Sequence, residues 1–309
     1  MSIYITIDGG TTNTRIYLAE NKKVLDKETI DMGARSCIDS KELFLERLKD
    51  SIEKLIKNNN LSSSNIECIL ASGMITSEFG LCSLEHIKTP AGLCELHNSM
   101  YKTYIKEISE IPFVFIRGVK TDTEAYESFD MMRGEETELM GIINPDFKDC
   151  LYILPGSHSK IVKVDLDGRI VNFSTMLTGE MIKSLSENTI LKDAVDLKNS
   201  SLDSEYLVKG YDCCKEYGIN KSLFKVRILK NIFNNSKDEV YSFFIGAVLQ
   251  SEIEQIINYD TKTVVIGGKS EIKNAMEQLL KNRSTVEVIT LDENTVENST
   301  VLGAIRIFE

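Results

Sequence analysis

Several classes of protein are excluded by what this 309-residue sequence lacks. No run of about 18 apolar residues occurs, so no membrane-spanning segment is predicted. Lysine and arginine form no cluster and the net charge is −11, so a nucleic-acid partner is not expected. The first residues show neither the basic nor the apolar region of a signal peptide, so a cytoplasmic location is expected.

Cysteine is present, but its spacing does not indicate a metal or redox centre. The seven cysteines are an odd number without a CxxC pair, and the neighbours Cys213 and Cys214 would be awkward to bridge. Reduced, mostly buried thiols, as in the cytoplasm, are therefore predicted. The sequence also lacks the GxxxxGK[ST] motif, which excludes a P-loop nucleotide-binding protein.

The periodicity of apolar residues predicts a mixed α/β protein whose two halves follow a similar order. The chain length favours two domains, because single cores stop growing at about 250–300 residues. Strands are predicted at residues 3–7, 15–18, 24–30, 66–74, 112–119, 151–154, 161–164 and 169–173, and within 262–269 and 285–291. Helices are predicted at residues 41–58, 271–282 and 299–308, and near 180–190, 222–235 and 238–258. Each half begins with a strand, a small polar turn and a second strand, which a duplicated α/β domain around a central cleft would explain.

The first polar turn directly follows an apolar strand, in IYITIDGGTTNTRIYL (residues 3–18). Glycine lets backbone N–H groups approach an anion closely, and successive N–H groups in a turn form a concave anion site. Asp8 would be costly at the end of an apolar strand unless it held a partner, and a water-coordinated Mg²⁺ suits it. A tight hairpin with a polar tip is the alternative. The candidate anion-binding residues are Gly9, Gly10, Thr11, Thr12 and Asn13.

The second polar turn lies in LYILPGSHSKIVKVDL (residues 151–166). It offers hydrogen-bond donors and a point positive charge, both suited to phosphate. Its candidate residues are Gly156, Ser157, His158 and Lys160. A lone histidine on a loop is more often a surface residue, so His158 is not assigned the role of a general base.

A third motif, MRGEETELMG (residues 132–141), places acidic residues at the start of a predicted helix. Gly134 can break the chain before a helix that starts at Glu135. Acidic residues in a first helical turn usually only complement the helix dipole, by about 0.3–1 kcal/mol. This segment, however, lies at the junction of the two halves, shortly before the second turn. A carboxylate there could accept a proton from a sugar hydroxyl.

Together these motifs resemble the actin/hexokinase/Hsp70-like ATPases and sugar kinases. Within that superfamily, MRGEETELMG, LPGSHSKIV and LTGEM are similar to the 2-dehydro-3-deoxygalactonokinase family. ASGMITS, LFKVR and GAVLQSEI extend the resemblance over nearly the whole chain, and it is weakest at residues 192–220. The RGEET and PGSHSK motifs are specific in combination, whereas the first turn identifies only the superfamily.

The resemblance implies a two-lobed, duplicated ribonuclease H-like (actin-like ATPase) fold with a central cleft, and ATP and Mg²⁺ as cofactors. It implies an N-terminal lobe at residues 1–116, with the first phosphate turn and the sugar pocket. The C-terminal lobe, residues 117–309, would hold the base, the second phosphate turn and the adenosine site, and the last helix could pack back on the first lobe. Gly267 and Gly268 would approach the adenosine, with an ordinary strand-to-helix turn as the alternative.

The catalytic base is carried over from related carbohydrate kinases, in which a Gly-Asp-Gln-Gln motif supplies it. Gly134-Glu135-Glu136-Thr137 matches that motif, so the resemblance makes Glu135 the base, with glutamate in place of aspartate. Glu136 is the alternative. The implied reaction is phosphorylation of 2-dehydro-3-deoxy-D-galactonate by ATP at the 6-hydroxyl. The product, 2-dehydro-3-deoxy-6-phosphogalactonate, belongs to galactonate and galactose catabolism.

The sugar acid carries a carboxylate, for which a cationic partner is expected. Arg15, beside the first turn, and Arg133, beside the base, are the candidates, and either could instead form a structural ion pair. The resemblance also places the loop SGMITSEFG (residues 72–80) at the sugar pocket. The candidate substrate residues of this loop are Ser72, Met74 and Thr76.

Two other functions stay open from the sequence. A neighbouring substrate such as 2-keto-3-deoxygluconate differs in one hydroxyl configuration, which no single residue reports. An actin-like nucleotide switch would use ATP to change conformation without phosphorylating a sugar, although the RGEET motif favours the kinase. The expected partners are ATP and a small sugar acid, without nucleic acid or membrane, and a homodimer is left open.

Overall fold

The computed structural model describes residues 2–268 and 272–309, and the chain forms two compact units. The first unit comprises Met1–Lys148, Val164–Phe173 and Glu293–Glu309, and the second comprises Asp149–Lys163 and Ser174–Asp292. The lobe boundary expected between residues 116 and 117 stays a prediction; in the compact units residues 117–148 group with the preceding part of the chain. None of the described helices combines the length and apolarity that crossing a bilayer requires.

The first unit begins with two sheets and their covering helices. Its elements are β1 (Ile3–Gly9), β2 (Thr14–Glu20), β3 (Lys23–Ile30), α1 (Ser36–Asp39), α2 (Lys41–Asn58), β4 (Ile66–Gly73), β5 (Ile87–Lys88), α3 (Leu93–Ser99), β6 (Tyr101–Thr103), β7 (Phe113–Phe115), β8 (Val119–Lys120), β9 (Met131–Met132) and α4 (Glu135–Ile142). The larger sheet has the order β3-β2-β1-β4-β7-β6, and the smaller one β5-β8-β9. Because β1 is parallel to β4, their carboxyl ends lie at the same edge of the sheet.

The next elements along the chain form a second sheet and a set of longer helices. They are β10 (Cys150–Leu154), β11 (Ser159–Val164), β12 (Ile170–Met176), α5 (Thr178–Asn188), α6 (Ser204–Tyr217), α7 (Ile219–Asn231), α8 (Lys237–Ile257), β13 (Thr263–Ile266), α9 (Lys273–Arg283) and β14 (Glu287–Thr290). The strand order is β12-β11-β10-β13-β14, with β13 parallel to both β10 and β14. Helix α8 is buried along most of its length and forms the centre of this core.

The chain ends in the first unit with α10 (Glu293–Glu297) and α11 (Ser299–Phe308). Helix α11 contacts β1, β4, α3 and α4, and the ring of Phe308 meets that of Tyr4 edge to face, 5.6 Å between centroids. The last helix was expected to pack against this part of the chain. The buried residues of α11 cover apolar surface of β1 and α4 that would otherwise be exposed to water.

The repetition expected from the sequence is visible in the strand order. The run β3-β2-β1-β4-β7 in the first sheet corresponds to β12-β11-β10-β13-β14 in the second. A glycine-containing turn joins β1 to β2 in the first sheet and β10 to β11 in the second. On its other side, β1 is flanked by the later strand β4, and β10 by the later strand β13. The duplicated α/β architecture predicted from the two polar turns is thereby confirmed.

Several regions depart from the predicted elements, among them the short elements α1, α3, α10, β5, β6 and β9, which were not predicted, and one prediction reaches undescribed residues. The strand expected at residues 112–119 is broken into β7 and β8, and between them the side chain of Arg117 donates to the carbonyl groups of Ser99 and Glu85. Helix α6 was not predicted, because Gly210 weakens an isolated helix. In the structure that glycine lets α6 touch the backbone of α8. The predicted helix start at residue 271 lies outside the described residues, and α9 begins at Lys273.

Candidate active site

The first turn joins β1 to β2 and points its carbonyl groups to one side. The N–H of Gly10 donates to the carbonyl of Asn13 at 2.9 Å, which closes the turn. The carbonyl groups of Gly10 and Thr11 accept N–H groups from the loop after β3, at 3.0 and 3.2 Å. Within the described residues, the N–H groups of Thr11, Thr12 and Asn13 donate to no protein acceptor. Consecutive N–H groups arranged in this way can receive an anion such as phosphate.

Three glycines bring the ends of β1 and β4 against the start of α4. A methyl group on Gly9 would lie 2.6 Å from Cβ of Ile75, and one on Gly73 would lie 2.6 Å from the carbonyl oxygen of Gly9. A methyl group on Gly134 would lie 3.2 Å from Cα of Gly73. Gly73 and Gly134 also have φ values of 83° and 112°, which residues with a side chain rarely adopt. The first turn, the loop after β4 and the RGEET motif therefore meet in one place.

Asp8 stands at the end of β1 with one side-chain oxygen already paired. Its Oδ2 accepts a hydrogen bond from Nη1 of Arg15 at 3.0 Å, and the side chain is 20% exposed. Opposite it on β4, Ser72 is buried, and its hydroxyl has no hydrogen-bond partner within the described residues. Mg²⁺ is usually held by one or two carboxylates with water and substrate phosphates, so a single partly exposed aspartate fits it.

Glu135 and Glu136 begin α4 but differ sharply in exposure. Glu135 is partly exposed, and its Oε2 accepts the N–H of Arg133 at 3.0 Å. Glu136 is completely buried, and its carboxylate accepts the N–H of Gly134 at 2.8 Å and the hydroxyl of Thr137 at 2.9 Å. Burial, and next the charge of Glu135, raises the pKa of Glu136 to about 7. Of the two carboxylates, Glu135 is the one that a substrate can reach.

The position of α4 is set by its close packing on α11. A methyl group on Gly303 would collide with the carbonyl oxygen of Thr137, and one on Gly141 would collide with that of Ser299. The two helices therefore touch backbone to backbone, and neither can shift outward to admit a larger residue without losing that contact. The C-terminal helix thus supports the helix that carries the two acidic residues.

Arg133 is occupied by the loop that follows β4. Its Nη1 donates to the carbonyl oxygen and the hydroxyl of Thr76 at 2.7 and 2.6 Å, and its Nη2 donates to the carbonyl of Leu84 at 3.0 Å. Nη2 also lies 3.3 Å from Nδ1 of His86. Burial, and next the charge of Arg133, lowers the pKa of His86 to about 4, so this ring is neutral and can accept the hydrogen bond. Arg133 ties the loop to the start of α4, and Thr76 is fully buried, while Met74 is partly exposed.

The second turn joins β10 to β11 and exposes Ser157 and His158. Nε2 of His158 lies 3.1 Å from a carboxylate oxygen of Glu180. Lys160 is buried, and its ammonium group donates to the carbonyl of His158 at 3.2 Å. In the part of the chain that the structure describes, the N–H groups of residues 156–158 donate no hydrogen bond. Like the first turn, this one can receive an anion on its N–H groups.

Two further segments of the second unit surround this turn. A methyl group on Gly179, at the start of α5, would collide with the carbonyl oxygen of Gly156. Gly268, with a φ of 73°, leaves room for Pro155, whose carbonyl oxygen would be 2.8 Å from an added methyl group. The N–H of Gly267 donates to a carbonyl group of β10 at 2.8 Å. The glycine pair predicted for adenosine therefore lies beside the second turn.

Glu252 is a buried acidic residue that the sequence analysis did not single out. It lies on α8, is 1% exposed, and accepts the hydroxyl groups of Ser159 and Thr178 on its two oxygens. Its apolar neighbours Leu249 and Ile253 are also buried, so an acid inside an apolar helical stripe was the available sequence signal. Burial raises the pKa of Glu252, while the two hydroxyl groups oppose that shift.

The predicted residues thus form two groups, one in each unit. The first contains Asp8, Gly9, Ser72, Gly134 and Glu135, and the second contains Gly156, Ser157, His158, Gly267 and Gly268. No group of three or more His, Cys, Asp or Glu side chains that could hold a metal occurs among the described residues. Cavities of about 660 and 550 Å³ in the second unit are lined by none of the predicted residues.

Comparisons with known proteins point to one family. The model of the 2-keto-3-deoxy-galactonokinase family matches residues 8–302. The 2-dehydro-3-deoxygalactonokinase of Escherichia coli (strain K12) is 23% identical over 265 residues, which are 83% of this chain and 81% of that protein. A crystal structure of a Sinorhizobium meliloti protein assigned as a 2-dehydro-3-deoxygalactonokinase superposes with a TM-score of 0.78 at 20% identity, covering 98% of this chain and 95% of that one. Ligand-bound xylulose kinase from Lactobacillus acidophilus gives 0.52 at 11% identity, covering 100% and 89%.

Proposed function

Because the chain belongs to the 2-keto-3-deoxy-galactonokinase family, and so is a carbohydrate kinase with the actin-like ATPase fold, we propose that it phosphorylates 2-dehydro-3-deoxy-D-galactonate. The phosphoryl donor is ATP, and the acceptor is the 6-hydroxyl of the sugar acid. The products are ADP and 2-dehydro-3-deoxy-6-phosphogalactonate, which places the reaction in galactonate and galactose catabolism.

Glu135 is the proposed general base, and the observation that carries this assignment is the contrast with Glu136. The carboxylate of Glu136 is completely buried and is already bonded to Gly134 and Thr137, so it cannot meet a hydroxyl of the substrate. Glu135 is partly exposed at the start of α4, where Gly134 packs on the end of β4. A general base must come within hydrogen-bond reach of the proton that it accepts.

The proposed chemistry needs only a proton acceptor and hydrogen-bond donors that stabilise the negative charge of the phosphate groups. The oxygen of the 6-hydroxyl attacks the γ-phosphorus of ATP, its proton passes to the Glu135 carboxylate, and the bond to the β-phosphate oxygen breaks to release ADP. Phosphoryl transfer depends mainly on positioning and on stabilisation of charge. The backbone N–H groups of Thr11, Thr12 and Asn13 in the first turn supply part of that stabilisation, and those of the second turn supply another part.

Asp8 is the proposed residue for Mg²⁺, which neutralises phosphate charge when it is bound. The partly exposed carboxylate supports this role, and its Oδ1 accepts no hydrogen bond within the described residues. Arg15 is proposed to meet the carboxylate of the sugar acid, because its side chain is 43% exposed and only its Nη1 is bonded, to Asp8, within the described residues, whereas both Nη1 and Nη2 of Arg133 bond to protein acceptors. Met74, which is partly exposed, remains the proposed lining of the sugar pocket, and the buried residues Ser72 and Thr76 are proposed to support it together with Arg133.

The Glu135→Gln variant tests the base. It keeps the shape of the side chain and one acceptor oxygen, but the amide cannot take the proton. Loss of a general base lowers a rate by about 10²–10⁴-fold, so kcat should fall by that order while the KM for ATP stays nearly unchanged. Steady-state release of ADP with purified protein is the measurement.

Glu136→Gln is the matched control, and it should retain most of the activity. An inactive Glu136→Gln beside an active Glu135→Gln would show that the alignment with the family motif is wrong by one residue. If both variants stayed active, the base would lie elsewhere. Asp122, which is exposed and paired with Lys88 at 2.6 Å, would then be tested next.

A panel of sugar acids tests the substrate. ADP release should be fastest with 2-dehydro-3-deoxy-D-galactonate, and ³¹P NMR of the product should show the phosphate on C6. A higher kcat/KM with 2-keto-3-deoxygluconate would replace the proposed substrate by its neighbour. ATP hydrolysis that no sugar acid stimulates would contradict the proposed reaction.

A further inference from the structure

The carboxylate of Glu252 joins the two sides of the second turn. Its Oε1 accepts the hydroxyl of Ser159, the residue that follows the turn, and its Oε2 accepts the hydroxyl of Thr178 at 2.5 Å. Thr178 directly precedes Gly179, which packs on the carbonyl oxygen of Gly156 inside the turn. One buried side chain therefore holds both the end of the turn and the segment on which the turn rests.

This arrangement is costly for the fold taken alone. Glu252 is 1% exposed and lies among apolar residues of α8, and no cationic side chain is bonded to it among the described residues. A buried carboxylate must be compensated by hydrogen bonds, and apolar residues of similar volume often give equal or greater stability. Stability therefore does not account for a carboxylate at this position, whereas accurate placement of two backbone segments does.

A carboxyl group suits this task because its two oxygens can each hold one hydroxyl group. Each of its two oxygens bonds one hydroxyl group, so the positions of Ser159 and Thr178 are fixed relative to each other. Ser159 and Thr178 are buried, which prevents water from replacing either bond. The N–H of Glu180 also donates to the carbonyl of Ser157 at 3.2 Å, so α5 and the turn form a single braced unit.

We propose that Glu252 is a positioning residue for ATP. It fixes the distance between the second turn and the start of α5, and thereby the backbone N–H groups of residues 156–158 that receive phosphate. Glu252 does not touch the nucleotide in this proposal and acts through Ser159 and Thr178. The inference rests on the proposed role of the second turn in ATP binding.

The test compares Glu252→Ala, Glu252→Gln and Thr178→Val in steady-state kinetics and thermal unfolding. Misplacement of reacting groups by about 1 Å can cost about 10²-fold, so Glu252→Ala should lower kcat/KM for ATP by about 10–100-fold. The KM for the sugar acid should stay within about twofold, because Glu252 belongs to the second unit. Glu252→Gln should recover most of the loss, since serine and threonine hydroxyl groups can also accept from an amide.

Ser242→Ala is the control for general destabilisation. Ser242 is buried on the same helix and accepts the N–H of Asp203 at 2.7 Å, but it contacts neither Ser159 nor Thr178 through a hydrogen bond. Its loss should lower the unfolding temperature and leave the KM for ATP unchanged. If the role of Glu252 were only structural, Glu252→Ala would likewise lower the unfolding temperature and leave the KM for ATP unchanged.

Thr178→Val keeps the proposal testable if Glu252→Ala does not fold. Valine has nearly the shape of threonine and removes one of the two hydroxyl groups, so it should raise the KM for ATP with a smaller change in stability. An unchanged KM for ATP in folded Thr178→Val, together with an unchanged kcat, would overturn the positioning role. A wild-type protein that phosphorylates no sugar acid would instead contradict the proposed function, so the two failures are distinguishable.

Discussion

The two glycine turns of this protein correspond in topology but are held in different ways. The first turn is held by backbone contacts: its carbonyl groups accept N–H groups of Ala34 and Arg35, and Gly33 packs directly on it. The second turn rests on Gly179 but is also held through side chains, by the bonds of Glu252. Backbone contacts tolerate no added atoms, whereas side-chain bonds can be replaced by others of similar shape.

The buried glutamates of the two units show the same difference. Glu136 in the first unit accepts a backbone N–H and the hydroxyl of its own neighbour, so its partners are local. Glu252 in the second unit accepts hydroxyl groups from residues that are 93 and 74 positions away in sequence. Local partners stabilise the start of one helix, whereas distant partners hold separate segments together. The comparison predicts how each unit responds to substitution.

The largest expected effect is on the pH dependence of stability through Glu136. The folded protein holds the proton of this carboxyl up to about pH 7, whereas the unfolded chain releases it near its ordinary pKa of 4.5. Between these values the folded state binds more protons, so its stability decreases as the pH rises. The contribution is fully present below about pH 4.5 and is lost above about pH 7, with a total of about 3 kcal/mol.

Glu136→Gln should remove this dependence. Chemical denaturation from pH 4.5 to 8 should show the wild type losing about 3 kcal/mol relative to the variant, so that contributions common to both proteins cancel. Glu42→Gln, at an exposed glutamate in the first turn of α2, serves as the control and should parallel the wild type. Parallel curves for Glu136→Gln and the wild type would show that burial does not hold the proton.

The next effect in size tests the backbone packing of the first turn. A methyl group on Gly33 would lie 2.5 Å from the carbonyl oxygen of Gly10 and 2.6 Å from the carbonyl atoms of Thr11. These are main-chain atoms that cannot rotate away, so Gly33→Ala must displace the turn. Overpacking of this kind costs about 1–3 kcal/mol, and kcat/KM for ATP should fall with it. Chemical denaturation measures the stability, and ADP release measures kcat/KM for ATP. If neither quantity changed, the first turn would be able to move aside for the added methyl group.

The sequence predicted those elements whose patterns are local. The 18 residues of α2 were predicted with the observed bounds, because apolar residues recur at helical spacing and no partner is needed to recognise them. The two turns were predicted because glycine directly after an apolar strand indicates a tight turn or a close approach of the backbone. Helix α6 was missed because its stability depends on the contact of Gly210 with α8, which is distant in sequence.

Within the candidate site, residue types were predictable but their surroundings were not. Glu135 and Glu136 are adjacent, and no periodicity in a short helix start indicates which of them is buried; only the structure shows that it is Glu136. Arg133 was equally ambiguous, because its acceptors are carbonyl groups of Thr76 and Leu84 rather than an acidic residue. Backbone acceptors leave no trace in the amino-acid sequence.

The smallest expected effect completes the comparison at the glycine inside the second turn. Apart from its two chain neighbours, no atom of the described residues lies within 4 Å of the position that a methyl group on Gly156 would take, and its φ is not in the left-handed region. Gly156→Ala should therefore change the free energy of unfolding by less than about 0.5 kcal/mol, as is usual for unconstrained surface substitutions. Measured beside Gly33→Ala, it compares a methyl group that would meet the backbone of the first turn with one that would meet open space at the second. A loss as large as that of Gly33→Ala would contradict the open space beside Gly156.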